Sequence, residues 1–309
     1  MDIFTRQNYT ELAKEARFKP HPVLTVVLFT LIFFGSQTLA GIPIAVSMAA
    51  LGTFVKDASG NFILEMPPEN RVWYTIIQLF ATIIPMAAAI LFCRFAERRS
   101  LRSMGFVREG WLKKYLLGMA IGFAMFSAAL GISVLASGAQ YVGTDMYAPL
   151  QYALLCVGWL IQGAEEEIML RGYFMPSLSA RLPMWAAVLI SSLFFSLMHL
   201  LNTGFTLLAF LNILLMGIAF GLVAIRTDSI FTCCALHSVW NWAQGNFYGL
   251  PVSGMETGPS VLRFSLTDSS LWAGGAFGIE GSLAALIVEL VVIALLLFIP
   301  QKKKPAAAE

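Results

Sequence analysis

The chain has 309 residues and a formal net charge of +2; 58% of its residues are hydrophobic and only 12% are charged. Soluble domains keep roughly 25% of their residues charged, so an ordinary soluble globule is excluded and an all-α, polytopic membrane helix bundle is expected. The positive charge is spread over loops and tails, which argues against a nucleic-acid partner and leaves the lipid bilayer as the first one. Residues 1–22 are polar and basic (Arg6, Lys14, Arg17, Lys19) and lack a short apolar core with a small-residue cleavage site. They read as a cytoplasmic lead-in, not a removable signal peptide.

A single transmembrane domain is expected over 23–300, in about eight segments. The first, 23–55, exceeds the ~20 residues a span needs, and Gly41-Ile42-Pro43 can kink it. A loop at 56–71 carries Asp57, Glu65, Glu69 and the Pro67-Pro68 break. The second segment, 72–93, precedes a stretch with seven basic residues from Arg94 to Lys114, expected along the membrane surface. The third, 115–136, is rich in glycine and alanine, as close helix packing in lipid favours. The fourth starts near Pro149 and runs towards Arg181. The fifth (184–201), sixth (205–225) and seventh (230–250) follow on short links. Residues 251–280 read as a polar, glycine-rich loop, 282–299 as the eighth segment, and 301–309 as a basic cytoplasmic tail with Lys302, Lys303 and Lys304. With both termini cytoplasmic, only Lys56, Arg71 and Arg263 fall outside, the asymmetry of a multi-pass cell-membrane protein. The four cysteines, Cys93, Cys156, Cys233 and Cys234, lie in apolar segments and read as small hydrophobes.

Against this background Gly163-Ala-Glu-Glu-Glu-Ile-Met-Leu-Arg171 stands apart. Ionisable groups inside a span cost roughly 2.5–3.5 kcal/mol each on insertion scales, and they mark functional positions. On a helix, Glu167 and Arg171 stand at i and i+4 with the acid first, the favoured ion-pair order. Glu166 is then rotated by about 100° and free to face something else. Glu165 reads as a third, structural acid.

His199 and His237 also lie in apolar segments. Phe195 and His199 share one helix face, as do His237 and Asn241. Glu166 lies fifteen residues before Arg181 and His199 eighteen after it, so on a hairpin their depths differ by only about 4–5 Å. Glu166 and His199 are therefore expected to face each other, with His237 reaching the same level if its helix tilts. An acid–imidazole pair can deprotonate a water, and a second imidazole with an amide can bind an oxyanion. The sequence contains neither HExxH nor GxSxG.

Glu166-Glu167-x-x-x-Arg171, Phe195-x-x-x-His199 and His237-x-x-x-Asn241 together resemble the three motifs of the CPBP family, the CAAX prenyl endopeptidases and their bacterial bacteriocin-processing and immunity (Abi-like) relatives. The resemblance covers about 149–250. Residues Arg99 to Phe106 also resemble a surface segment of bacterial members. It implies a glutamate-dependent intramembrane endopeptidase without a cofactor, acting on a membrane-associated peptide or protein. By position, Glu166 with His199 would be the general base, and His237 with Asn241 the oxyanion site. Glu167, Arg171 and Phe195 would support them. Two other readings use the same residues: a zinc metalloprotease, and a non-catalytic immunity or transport protein.

Overall fold

A computed structural model describes residues 4, 9–57, 61–144, 148–267 and 271–300; Arg6 and the basic tail at 301–309 lie outside them. The protein is an all-α membrane helix bundle, with two small antiparallel strand pairings among the described residues. Among the described residues four helical stretches are long and apolar enough to cross a membrane: Pro22–Leu51, Pro68–Ala96, Trp111–Leu135 and Leu207–Thr227. Met184–Leu197 and Leu283–Phe298 are shorter apolar helices.

Helix α1 (Pro22–Leu51) starts with proline at N1, a position that needs no donor, and the His21 ring accepts from Val23 N–H. It continues through Pro43 but stops four residues short of the expected Val55. Thr53–Lys56 (β1) instead pairs antiparallel with Phe62–Glu65 (β2). The β-branched and aromatic residues there suit a strand once Gly52 has turned the chain into an extended conformation. Helices α2 (Pro68–Ala81) and α3 (Ile83–Leu91) form the second stretch, finished by a π-helical turn at Phe92–Ala96.

The basic stretch that follows is not wholly superficial. Arg99 is buried, its Nε 2.6 Å from Glu97 and a terminal nitrogen against Ser177 and the Tyr173 carbonyl. Met104 is also buried, and Gly105, at φ 86°, accepts from the backbone N–H of Ile230. The segment is a floor on which the start of a later helix rests.

Helix α4 (Trp111–Leu135) leads into β3 (Ala139–Gly143). Helix α5 (Pro149–Glu167) passes through a fully buried π-helical segment, Ile168–Phe174, into α6 (Met175–Ser179). This realises the expected continuation towards Arg181, whose guanidinium holds the carbonyls of Lys19 and Pro20. Helices α7 (Met184–Leu197), α8 (Leu207–Thr227) and α9 (Ile230–Trp242) follow, the last extended by a π turn at Ala243–Phe247. Residues 251–280 are more than a loop. Arg263–Leu266 (β4) pairs with β3, and Asn246 anchors the stretch by donating to the Pro259 carbonyl. Helix α10 (Leu283–Phe298), capped by Ser282, ends the described chain.

Two glycine-mediated contacts set the position of α9. A Cβ on Gly118 or Gly122 of α4 would overlap the carbonyls of Thr232 and Leu236, and one on Gly163 of α5 would lie 2.6 Å from Ser238 N. Helices without a solvent-driven hydrophobic effect gain their packing energy from such close backbone approach. The lead-in is part of this packing too. Tyr9–Glu15 forms a short 3-10 helix in which Tyr9 is buried; its hydroxyl donates to the Arg171 carbonyl at 2.8 Å and its N–H to Asp228 at 2.7 Å.

Candidate active site

The acid cluster sits at the C-terminal end of α5, where successive side chains point in different directions. Glu167 is fully buried. Its Oε1 accepts from Arg171 at 2.9 Å, forming the i,i+4 pair, and lies 3.0 Å from His237 Nδ1. Its Oε2 accepts from the Cys233 thiol at 2.7 Å. The carboxylate thus does more than neutralise an arginine. Because it accepts at Nδ1, it holds the His237 proton there and turns Nε2 outward.

Glu166, rotated about 100° away, keeps its side chain 20% exposed and reaches His237 Nε2 at 3.4 Å. This revises the expectation that Glu166 would meet His199: the imidazole in contact with it is His237. The reason is the antiparallel seam between α5 and α9. Gly163 lets the helices close on Ser238, which sets Glu166 opposite His237 and, one turn away, Gln162 opposite Asn241. The Asn241 amide donates to Gln162 Oε1 at 2.9 Å. Depth arithmetic along the chain compares heights but not the rotation of one helix about another.

His199 lies just past the end of α7, in a tightened turn in which its N–H bonds to the Ser196 carbonyl. Its Nδ1 is 2.8 Å from the Phe195 carbonyl. A carbonyl only accepts, so Nδ1 carries the hydrogen and Nε2 is left as an acceptor. Glu166, His199, His237 and Asn241 all line one cavity of about 380 Å³ between α5, α7, α8, α9 and α10. Glu165, read as structural, lines it as well while being 2% exposed overall.

Aromatic rings hold the imidazoles in place. The Phe220 ring stacks on His237 at 4.8 Å, and Phe195 stands edge-on to His199 and His237 at 5.0 and 5.8 Å. Both phenylalanines also cover the Arg171 guanidinium, at 4.9 Å for Phe195 and 5.4 Å for Phe220. The second terminal nitrogen of Arg171 donates to the Gly217 carbonyl at 2.8 Å.

Three residues that sequence reasoning left out belong to this cavity or its wall. Gln162 stands one turn before Glu166 on the same face. Glu280 accepts from the Trp240 indole at 3.0 Å. Glu289, a lone carboxylate in the apolar helix α10, is buried and lines the cavity. Its signal was present in the sequence: a single acid in an otherwise hydrocarbon segment is the same anomaly that drew attention to Glu166. Among the described residues no group of three or more His, Cys, Asp or Glu is disposed to hold a metal ion.

Residues 148–243 match the family model described as type II CAAX prenyl endopeptidase Rce1-like. This stretch is similar to the CAAX prenyl endopeptidases, and it contains the α5 acids, both histidines and Asn241. No curated protein matches the chain.

Proposed function

We propose that this protein is a CAAX-protease-like intramembrane endopeptidase that hydrolyses a peptide bond with a water activated by Glu166 and His199. The observation that carries the reading is the convergence of Glu166, His199, His237 and Asn241, all within the Rce1-like stretch, on one cavity. Glu166 is the one acid of the cluster that is both in contact with an imidazole and turned to the cavity. It accepts the proton of the attacking water, and the unprotonated Nε2 of His199 orients that water from across the cavity. His237, as an imidazolium with Nδ1–H held by Glu167 and Nε2–H turned to the cavity, and Asn241, whose amide also donates to Gln162, stabilise the developing oxyanion. The carboxylate then returns its proton to the leaving amine. The helical order and the distribution of basic residues support eight crossings with both termini cytoplasmic; a reporter fused after Glu309 should read as cytoplasmic.

The decisive experiment is Glu166→Gln, which keeps the shape and removes the base. Cleavage of a peptide substrate by purified protein in detergent should fall by ~10²–10⁴-fold. Retained cleavage would reject Glu166 as the base. Abolition of parental activity by a strong chelator with rescue by zinc would assign the same residues to metal chemistry instead.

A further inference from the structure

The cavity has more acidic side chains than hydrolysis needs. Its wall contains four carboxylates, Glu165, Glu166, Glu280 and Glu289, and no lysine or arginine. Glu280 is committed: one oxygen accepts from the Trp240 indole, the other from both the N–H and the hydroxyl of Ser253, at 2.7 and 2.8 Å. Glu289 has no such explanation. It is the only polar side chain of α10, is 1% exposed, and its Oε2 has no hydrogen-bond partner.

A buried carboxylate without a donor is costly to keep, and within an apolar membrane helix it marks a functional position. The same cavity is lined by Phe33 of α1 and by Ile213 and Met216 of α8, the helix on which α10 packs. Apolar walls ending in an unpaired carboxylate match one kind of group: a long aliphatic stem with a cation at its tip, the shape of lysine and arginine.

We propose that Glu289 is a specificity-determining residue that binds a lysine or arginine side chain of the substrate peptide, at the α10 end of the cavity. The inference rests on the endopeptidase reading of that cavity and names the substrate class it takes: peptides with a basic residue near the cleaved bond. The substrate ammonium supplies the donor that Glu289 Oε2 lacks. Discrimination follows because a neutral side chain of the same length leaves the buried carboxylate unpaired.

The test uses the purified full chain and matched peptides in which one position at a time is lysine or norleucine, which share the aliphatic stem and differ in the ammonium. The readout is the lysine-to-norleucine ratio of kcat/KM at each position. The parent should show a ratio of at least ~30 at one position, and Glu289→Gln should bring it close to one. Glu289→Asp, with the charge retained on a shorter stem, should keep the basic preference and move it from lysine towards the longer arginine. A parent with no lysine preference at any position, or Glu289→Gln with an undiminished ratio, overturns the proposal. The second result is also what a permanently neutral, structural Glu289 would give. Cleavage that Glu166→Gln abolishes, but without a lysine preference, defeats this inference and leaves the endopeptidase reading standing. If the parent cleaves none of the peptides, that reading fails. Binding of the same fluorescently labelled peptides then decides here: tighter binding of lysine peptides, lost in Glu289→Gln, supports the site, and equal binding rejects it.

Discussion

Arg171→Met tests the core of the site because it removes a charge while nearly conserving volume. In the parent the guanidinium donates to Glu167 Oε1 and to the Gly217 carbonyl, lies over two phenylalanine rings, and is fully buried. Removing one partner of a buried pair typically costs ~3–5 kcal/mol, because the other charge is left uncompensated. The orphaned Gly217 carbonyl adds to this, but the losses share one network and do not sum. A total near ~4 kcal/mol is expected, which for a chain of this size lowers Tm by on the order of 10 °C. Thermal unfolding in detergent, followed by tryptophan fluorescence, measures it. The double variant Glu167→Met/Arg171→Met separates stability from function. It removes both charges, and well-packed apolar replacements of buried pairs are often neutral or stabilising, so Tm should recover towards the parent. Activity should not recover, since His237 Nδ1 then has lost its acceptor. An Arg171→Met protein as stable as the parent would refute the argument that the arginine braces a buried anion. If that protein were also inactive, Arg171 would be a direct participant in the chemistry.

Three further outcomes can be checked. His199→Ala should lower cleavage as far as Glu166→Gln, with the double variant little worse than either, because groups acting as one unit are not additive. Asn241→Ala should lose roughly 10²–10³-fold in kcat if its amide serves the oxyanion. An unchanged kcat would leave Asn241 only as the anchor of Gln162. Gly163→Ala places a methyl against Ser238 N and should push α9 away from α5. A shift of about 1 Å between Glu166 and His237 can cost ~10²-fold, whereas Gly131→Ala, where a Cβ meets nothing within 4 Å, should behave as the parent.

The sequence by itself determined whatever depends on local spacing and composition. Apolar segments separated by breaks specify helices in lipid, because every backbone group there must bond within its own segment. The i,i+4 separation of Glu167 and Arg171 specified their ion pair, since helix geometry alone brings those side chains together. The same spacing put His237 and Asn241 on one face. Strand pairing at 53–65 and between β3 and β4 was not legible as such, because short pairings depend on which distant segment is within reach, as Arg263–Leu266 is for Ala139–Gly143.

Only the tertiary structure decided which groups meet. Glu166 contacts His237 and not His199, and Glu167 takes on His237 and Cys233 beside Arg171. Both outcomes follow from the angle at which α9 rotates against α5, which is fixed by Gly163 meeting Ser238 and by Gly118 and Gly122 admitting α9 onto α4. Likewise Tyr9, far away in the chain, reaches the Arg171 carbonyl, and Glu289 faces the cavity because α10 closes over α8. Periodicity gives each helix its faces, but the choice of facing partner belongs to backbone approach between helices, which no stretch of one helix encodes alone.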